Sequence, residues 1–107
     1  MALKKNGFEV FKADNGMDGV AAAKKHLPDL VLMDVVMPGL NGFQATRQLT
    51  QAKETAHIPV IIVTTKDQQT DKLWGKRQGA KGYLVKPVDE KKLVDSVRQV
   101  MEGAILF

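Results

Sequence analysis

Three side chains of this sequence are of types that do chemistry, and each stands where an apolar run stops. Asp34 follows Leu30-Val31-Leu32-Met33, Thr64 follows Val60-Ile61-Ile62-Val63, and Lys86 follows Tyr83-Leu84-Val85. A carboxylate beside buried strands needs a cation or hydrogen-bond donors close to it. An ammonium and a hydroxyl from two other strands would supply both. Brought together, the three make a site that accepts a phosphoryl group: the carboxylate attacks, and the other two hold the transferred oxygens. The same residue types also make a structural ion pair with a capping threonine, and such pairs populate these positions too. Spacing alone leaves both readings open.

The elements that must position these residues are legible in the apolar pattern. Phe8 to Ala13 alternates apolar and polar residues, as a half-covered edge strand does. The runs at Leu30, Val60 and Tyr83 are continuous, the pattern of parallel strands covered on both faces. Between them, Asn15 is a candidate cap for a helix carrying Met17, Val20, Ala21 and Leu27 on one side, and Pro28 forbids its continuation. A second helix is expected over residues 42–51, burying Phe43, Ala45 and Leu49. A third is expected over 68–78, with Leu73 and Trp74 inward and Gly79 as its stop. After Pro87, Asp89 caps a last helix whose Leu93, Val94, Val97, Val100 and Met101 form one stripe, ended by Gly103. Strand and helix thus alternate, which implies an α/β fold with a parallel, doubly wound sheet and helices on both faces. In open sheets of that kind the ligand site lies outside the carboxyl ends of the strands, where Asp34, Thr64, Thr65 and Lys86 fall.

Composition narrows the classes. A chain of 107 residues, 44% hydrophobic and 26% charged, holds one core of ordinary size, so one domain over 1–107 is expected. With no cysteine there is no disulfide framework, thiolate metal site or cysteine nucleophile. No apolar run approaches the roughly 18 residues of a membrane span, and a cytoplasmic protein without membrane partners is expected. The net charge of +4 would permit nucleic-acid contact. The basic residues are scattered in pairs such as Lys4-Lys5, Lys24-Lys25 and Lys91-Lys92 without an aromatic stripe, so no nucleic-acid partner is expected. His26 and His57 have no partner at metal-ligand spacing and read as exposed. Met17, Met33 and Met37 read as core fillers. No Gly-rich phosphate loop follows any strand, and Gly39 to Gly42 is a turn after a carboxylate, which argues against a flavin or nucleotide binder.

Three segments carry a resemblance to a known family. Leu30 to Gly42, with its strand, aspartate and Met37-Pro38-Gly39 loop, resembles the response regulator receiver domain (CheY-like, flavodoxin-like fold). So do Val60 to Thr65 and Gly79-Ala80-Lys81-Gly82-Tyr83-Leu84-Val85-Lys86-Pro87, in the right order and separation. Within the family, the wording from Met37 to Thr50 and from Trp74 to Gly79 is similar to the PilH-type regulators of type IV pilus twitching motility. The resemblance implies that Asp34 takes a phosphoryl group from a sensor histidine kinase or its phosphotransfer domain. It implies that Lys86 and Thr64 bind the phosphate, that Tyr83 is the switch aromatic, and that the Lys86-Pro87 bond is cis. It further implies Mg²⁺ as cofactor, with Asp34 and the Val36 backbone carbonyl among its ligands. The chain would be a phosphoacceptor that assists its own phosphotransfer rather than an enzyme with turnover. Its signal would pass to a downstream protein target through the face formed by Tyr83, the 70–78 helix and the last helix.

The pattern departs from the family at its start. Receivers begin with a strand ending in two adjacent acidic residues and a first helix, whereas only Met1 to Asn6 precede the segment matching from Gly7. With the acidic pair and the central strand of the 2-1-3-4-5 order absent, four strands and four helices are expected. Mg²⁺ binding is expected to be weak or absent. The strands at Val10 and Leu32 are expected to face each other as unpaired edges across a gap, so that dimerisation, strand exchange or a rearranged sheet follows. The apolar Ala104-Ile105-Leu106-Phe107 would cover part of that gap or simply extend the helix. A phosphorylation-independent pseudo-receiver, used as an interaction module, is the alternative function.

Overall fold

In the computed structural model the apolar runs at Leu30 and Val60 become the inner strands of one sheet, each paired on both sides. The structure describes residues 2–5, 8–13, 16–35, 40–65 and 69–107. In chain order the elements are β1 (Ala2–Lys5), β2 (Phe8–Ala13), α1 (Gly16–His26), β3 (Leu30–Val35) and α2 (Leu40–Gln51). They continue with β4 (Val60–Thr64), α3 (Gln69–Arg77), β5 (Gly82–Val85) and α4 (Glu90–Met101). The sheet order is β1-β2-β3-β4-β5. Strands β2 to β5 run parallel, in keeping with the helix that follows each of β2, β3 and β4.

The expected gap is not there. β2 pairs directly with β3, Val10 opposite Leu30 and Ala13 opposite Met33. Two apolar strands with unsatisfied N–H and C=O groups gain a full ladder by closing on each other, so of the three outcomes foreseen the sheet takes rearrangement. The argument for an oligomer or strand-exchanged dimer loses its ground with the gap. A strand that the apolar pattern did not reveal, β1, pairs antiparallel with β2 on the outer side, Leu3 opposite Val10. The apolar segment after α4 neither fills a gap nor extends the helix. Leu106 forms a parallel bridge to Gly82: its N–H donates to the Lys81 carbonyl at 2.8 Å, and the Tyr83 N–H donates to its carbonyl at 3.1 Å.

The two faces of the sheet are covered unequally. On one, Val31, Met33, Val60, Ile62 and Tyr83 pack with Ala23 of α1 and with Phe43, Ala45 and Leu49 of α2. On the other, Val10, Leu30, Leu32, Ile61 and Leu84 pack with Val97 and Val100 of α4. Asp89 caps α4, its side chain accepting from the Lys92 N–H at 2.7 Å. Gly79 closes the turn after α3 at φ +95°, where a Cβ would come within 2.8 Å of Thr50 Oγ1.

Two helix faces differ from expectation. Leu73 is 50% and Trp74 43% exposed; the residue of α3 against the sheet is Gly75, whose Cβ position lies 3.0 Å from Ile62 Cδ1. Among the described residues of α1, Gly19 and Ala23 are buried and Ala21 is exposed, as is Leu27 just after the helix. The close approach of these helices to the sheet selects small residues at the points of contact, with Val20 packed beside them and the Trp74 ring edge-on to Phe43. The proposed Asn15 cap lies outside the described residues, as does the side chain of Met17.

Candidate functional site

The ladders on both sides of β3 fix Asp34 at its carboxyl end, with Val63 as its neighbour on β4 and with Val35 opposite Thr64. Asp34 is only 9% exposed, so its charge requires partners. Two ammoniums meet it. Lys86 Nζ donates to Asp34 Oδ1 at 2.5 Å, a charge-assisted bond of the strong class. Lys12 Nζ stands 3.7 Å from Oδ2, an ion pair without hydrogen-bond geometry. Lys86 follows β5, on the far side of β4 from Asp34, so a long side chain is what closes that distance. Lys12 reaches from β2, where it pairs with Leu32.

These groups line one cleft. Lys12, Asp34, Thr65 and Lys86 provide its polar atoms, and Leu32, Val63, Val88 and Leu93 its apolar surface. The cleft opens at the carboxyl ends of the strands and on the α4 side of the sheet, the place that the parallel topology singles out. The structure therefore brings Asp34 and Lys86 together, as spacing selected them. Thr64 is fully buried at the end of β4, and strand alternation puts it with Ile62 on the face that packs against α1 and α2. The Lys86 N–H donates to the Thr64 carbonyl at 2.7 Å, which ties the ends of β4 and β5 together. Thr65 is the threonine that lines the cleft. Tyr83 is buried opposite Ile62, with the Phe107 ring 6.4 Å away. The Lys86-Pro87 bond is cis. Val36 lies outside the described residues.

Two residues that line the cleft were given no role in the sequence reading. Lys12 looked like the solvated half of an alternating strand, and only the direct β2–β3 pairing carries it to Asp34. Thr65 was named with the strand ends but given no role, and it lines the cleft beside Asp34 and Lys86.

A parallel sheet with an acidic side chain ending an inner strand and a lysine reaching it from two strands away defines a receiver of the response regulator class. The chain belongs to the response regulator receiver domain family, whose model matches residues 1–98. It is 66% identical over 101 residues to Protein PilH of Pseudomonas aeruginosa, spanning 94% of this chain and 84% of that one. Among solved structures it resembles a LuxR-family two-component response regulator from Aurantimonas sp., with a TM-score of 0.76 at 27% identity, over 89% of this chain and 66% of that one. It also resembles chemotaxis protein CheY4 of Vibrio cholerae, with a TM-score of 0.71 at 30% identity, over 79% of this chain and 71% of that one. No helix among the described residues is long and apolar enough to cross a membrane.

Receiver domains generally use Mg²⁺. The described residues do not fit one here. A hard divalent cation takes one or two carboxylates together with water and phosphate oxygens. Asp34 is the carboxylate of this cleft, and each of its oxygens faces an ammonium. No group of three acidic, His or Cys side chains that could hold a metal occurs among the described residues.

Proposed function

We propose that Asp34 is the phosphoacceptor of a two-component phosphorelay and that the chain signals by phosphorylation-dependent binding to a downstream protein. The observation that carries this reading is the buried Asp34 carboxylate held by the Lys86 ammonium at the carboxyl rim of a parallel sheet. In the reaction, an Asp34 carboxylate oxygen bonds to phosphorus while the bond from phosphorus to a kinase histidine nitrogen breaks. The electron pair leaves with the imidazole, which departs neutral because its other ring nitrogen holds a proton. The ammoniums of Lys86 and Lys12, which flank the Asp34 oxygens, then meet the negatively charged oxygens of the incoming phosphoryl group. The chain assists this single transfer and is not an enzyme with turnover.

Phosphorylation adds about −1.5 to −2 units of charge, which gives Lys86 a stronger partner than the carboxylate alone. Because Lys86 is bonded through its backbone to Thr64, a shift of one strand end is felt at the next, and Tyr83 lies on the same face as Thr64. We assign the transmission of the signal to these residues. Leu73 and Trp74 on α3, largely exposed, and Phe107 beside Tyr83 give the partner apolar surface to bind. The likeness to PilH supports a pathway of type IV pilus twitching motility, with a sensor histidine kinase or its phosphotransfer domain as donor.

Incubation with a small phosphodonor, followed by intact-mass measurement, tests the reading. A gain of one phosphoryl group is expected in the unaltered chain and not in Asp34→Asn. An unmodified chain would favour the second reading, a phosphorylation-independent interaction module. The specific observation behind that alternative is that both Asp34 oxygens already have cationic partners.

A further inference from the structure

We propose that Lys12 is a built-in counter-charge that excludes divalent cations from Asp34 and holds its second carboxylate oxygen in their place. The inference deepens the phosphoacceptor reading of the same site and rests on it only for its consequence, not for its test.

The geometry assigns the role. The Lys12 Nζ is 3.7 Å from Asp34 Oδ2, while Oδ1 is bonded to Lys86. Among the described residues, a cation approaching Asp34 thus meets two positive charges against one negative, at a side chain only 10% exposed, where screening by water is weak. The rest of the cleft offers the apolar Leu32, Val63, Val88 and Leu93 and the hydroxyl of Thr65. None of these supplies the second carboxylate a magnesium ion would want. Lys12 is free to act in this way because its stem runs over β3 from a register position beside Leu32, and its side chain is 45% exposed, so it is not needed to fill the core. For phosphoryl transfer the consequence is that an ammonium, present at all times, does the charge neutralisation a metal would otherwise bring. An ammonium also donates hydrogen bonds to phosphoryl oxygens, which a receiving site requires.

The test is a Mg²⁺ titration by isothermal calorimetry of the whole chain and of Lys12→Gln, Lys12→Glu and Lys12→Glu/Asp34→Asn, each first shown to be folded by circular dichroism. The unaltered chain is expected to give no saturable heat. Lys12→Glu should gain a saturable isotherm of one site, and the added Asp34→Asn should remove it. Lys12→Gln, which keeps the stem and loses the charge, should bind more weakly than Lys12→Glu and more tightly than the unaltered chain. Saturable binding to the unaltered chain that disappears with Asp34→Asn would overturn the proposal. So would a folded Lys12→Glu and a folded Lys12→Gln that both bind no better than the unaltered chain. If Lys12→Glu gains the site and Asp34 still accepts no phosphoryl group from any donor, the phosphoacceptor reading fails while the role of Lys12 stands.

Discussion

At the scale of residues, the two lysines around Asp34 are chemically alike and physically unequal. Lys86 makes a short bond from a side chain that is 32% exposed, whereas Lys12 stands at 3.7 Å and is 45% exposed. A charge-assisted hydrogen bond to a mostly buried carboxylate is worth roughly 1.5–3 kcal/mol, while an exposed ion pair contributes about 0–1 kcal/mol. Urea denaturation should therefore show Lys86→Met losing about 2 kcal/mol and Lys12→Met less than about 1 kcal/mol. Equal losses, or the reverse order, would contradict the geometry of the pair. The contrast also shows what a sequence can tell of this site. Asp34 and Lys86 were legible because each ends an apolar run, and the end of a parallel strand is a place where polar side chains need a reason. Lys12 carried no such mark. A lysine in an alternating strand is explained by solvent, and its meeting with Asp34 depends on which strand lies beside β3.

At the scale of elements, the helices reveal a rule that the apolar stripe conceals. The burial of Phe43, Ala45 and Leu49 in α2 and of Val97 and Val100 in α4 was readable from periodicity, because these helices sit far enough from the sheet to interpose side chains. In α1 and α3 the inward assignment held for Val20, which packs against the core, but not for Ala21, Leu27, Leu73 or Trp74, and the glycines that approach the sheet were passed over. A Cβ at Gly19 would lie 2.8 Å from Ala13 Cβ and 3.2 Å from Met33 Cε, whereas one at Gly75 would meet the Ile62 Cδ1 at 3.0 Å. The difference gives a paired prediction. Alanine is favoured over glycine within a helix by about 1 kcal/mol. At position 19 the obstruction is a Cβ fixed to the backbone of β2, which cannot give way without moving the strand, and overpacking of that kind costs roughly 1–3 kcal/mol. At position 75 the obstruction is the far end of a side chain that can turn. Gly19→Ala should thus be destabilising on balance, and Gly75→Ala neutral or stabilising, in thermal or urea unfolding. A stabilised Gly19→Ala would mean that α1 does not lie as close to β2 as described.

At the scale of the whole molecule, the sheet is layered unevenly, and its stability should be uneven in the same sense. β3 and β4 are hydrogen-bonded on both sides and packed on both faces by the two hydrophobic clusters. β1 is bonded along one side only, at the outer edge of β2, and β5 has its free edge covered where Leu106 bridges Gly82. Opening β3 requires undoing both clusters, while β1 lies at the outer edge and is paired to β2 alone, and amide exchange follows the least costly opening. Exchange measured by NMR should therefore rank the amides of Leu32, Met33, Ile61 and Ile62 slowest, at the rate of global unfolding. Those of Lys4 and Lys5 in β1 should exchange faster by orders of magnitude. Leu106→Pro, which removes the N–H that donates to the Lys81 carbonyl, should speed exchange at Tyr83 and leave Leu32 unchanged. Protection of β1 equal to that of β3 would show that the antiparallel strand is part of the cooperative core. The position of Lys12 would then be set by three strands acting together rather than by the pairing of β2 with β3 alone.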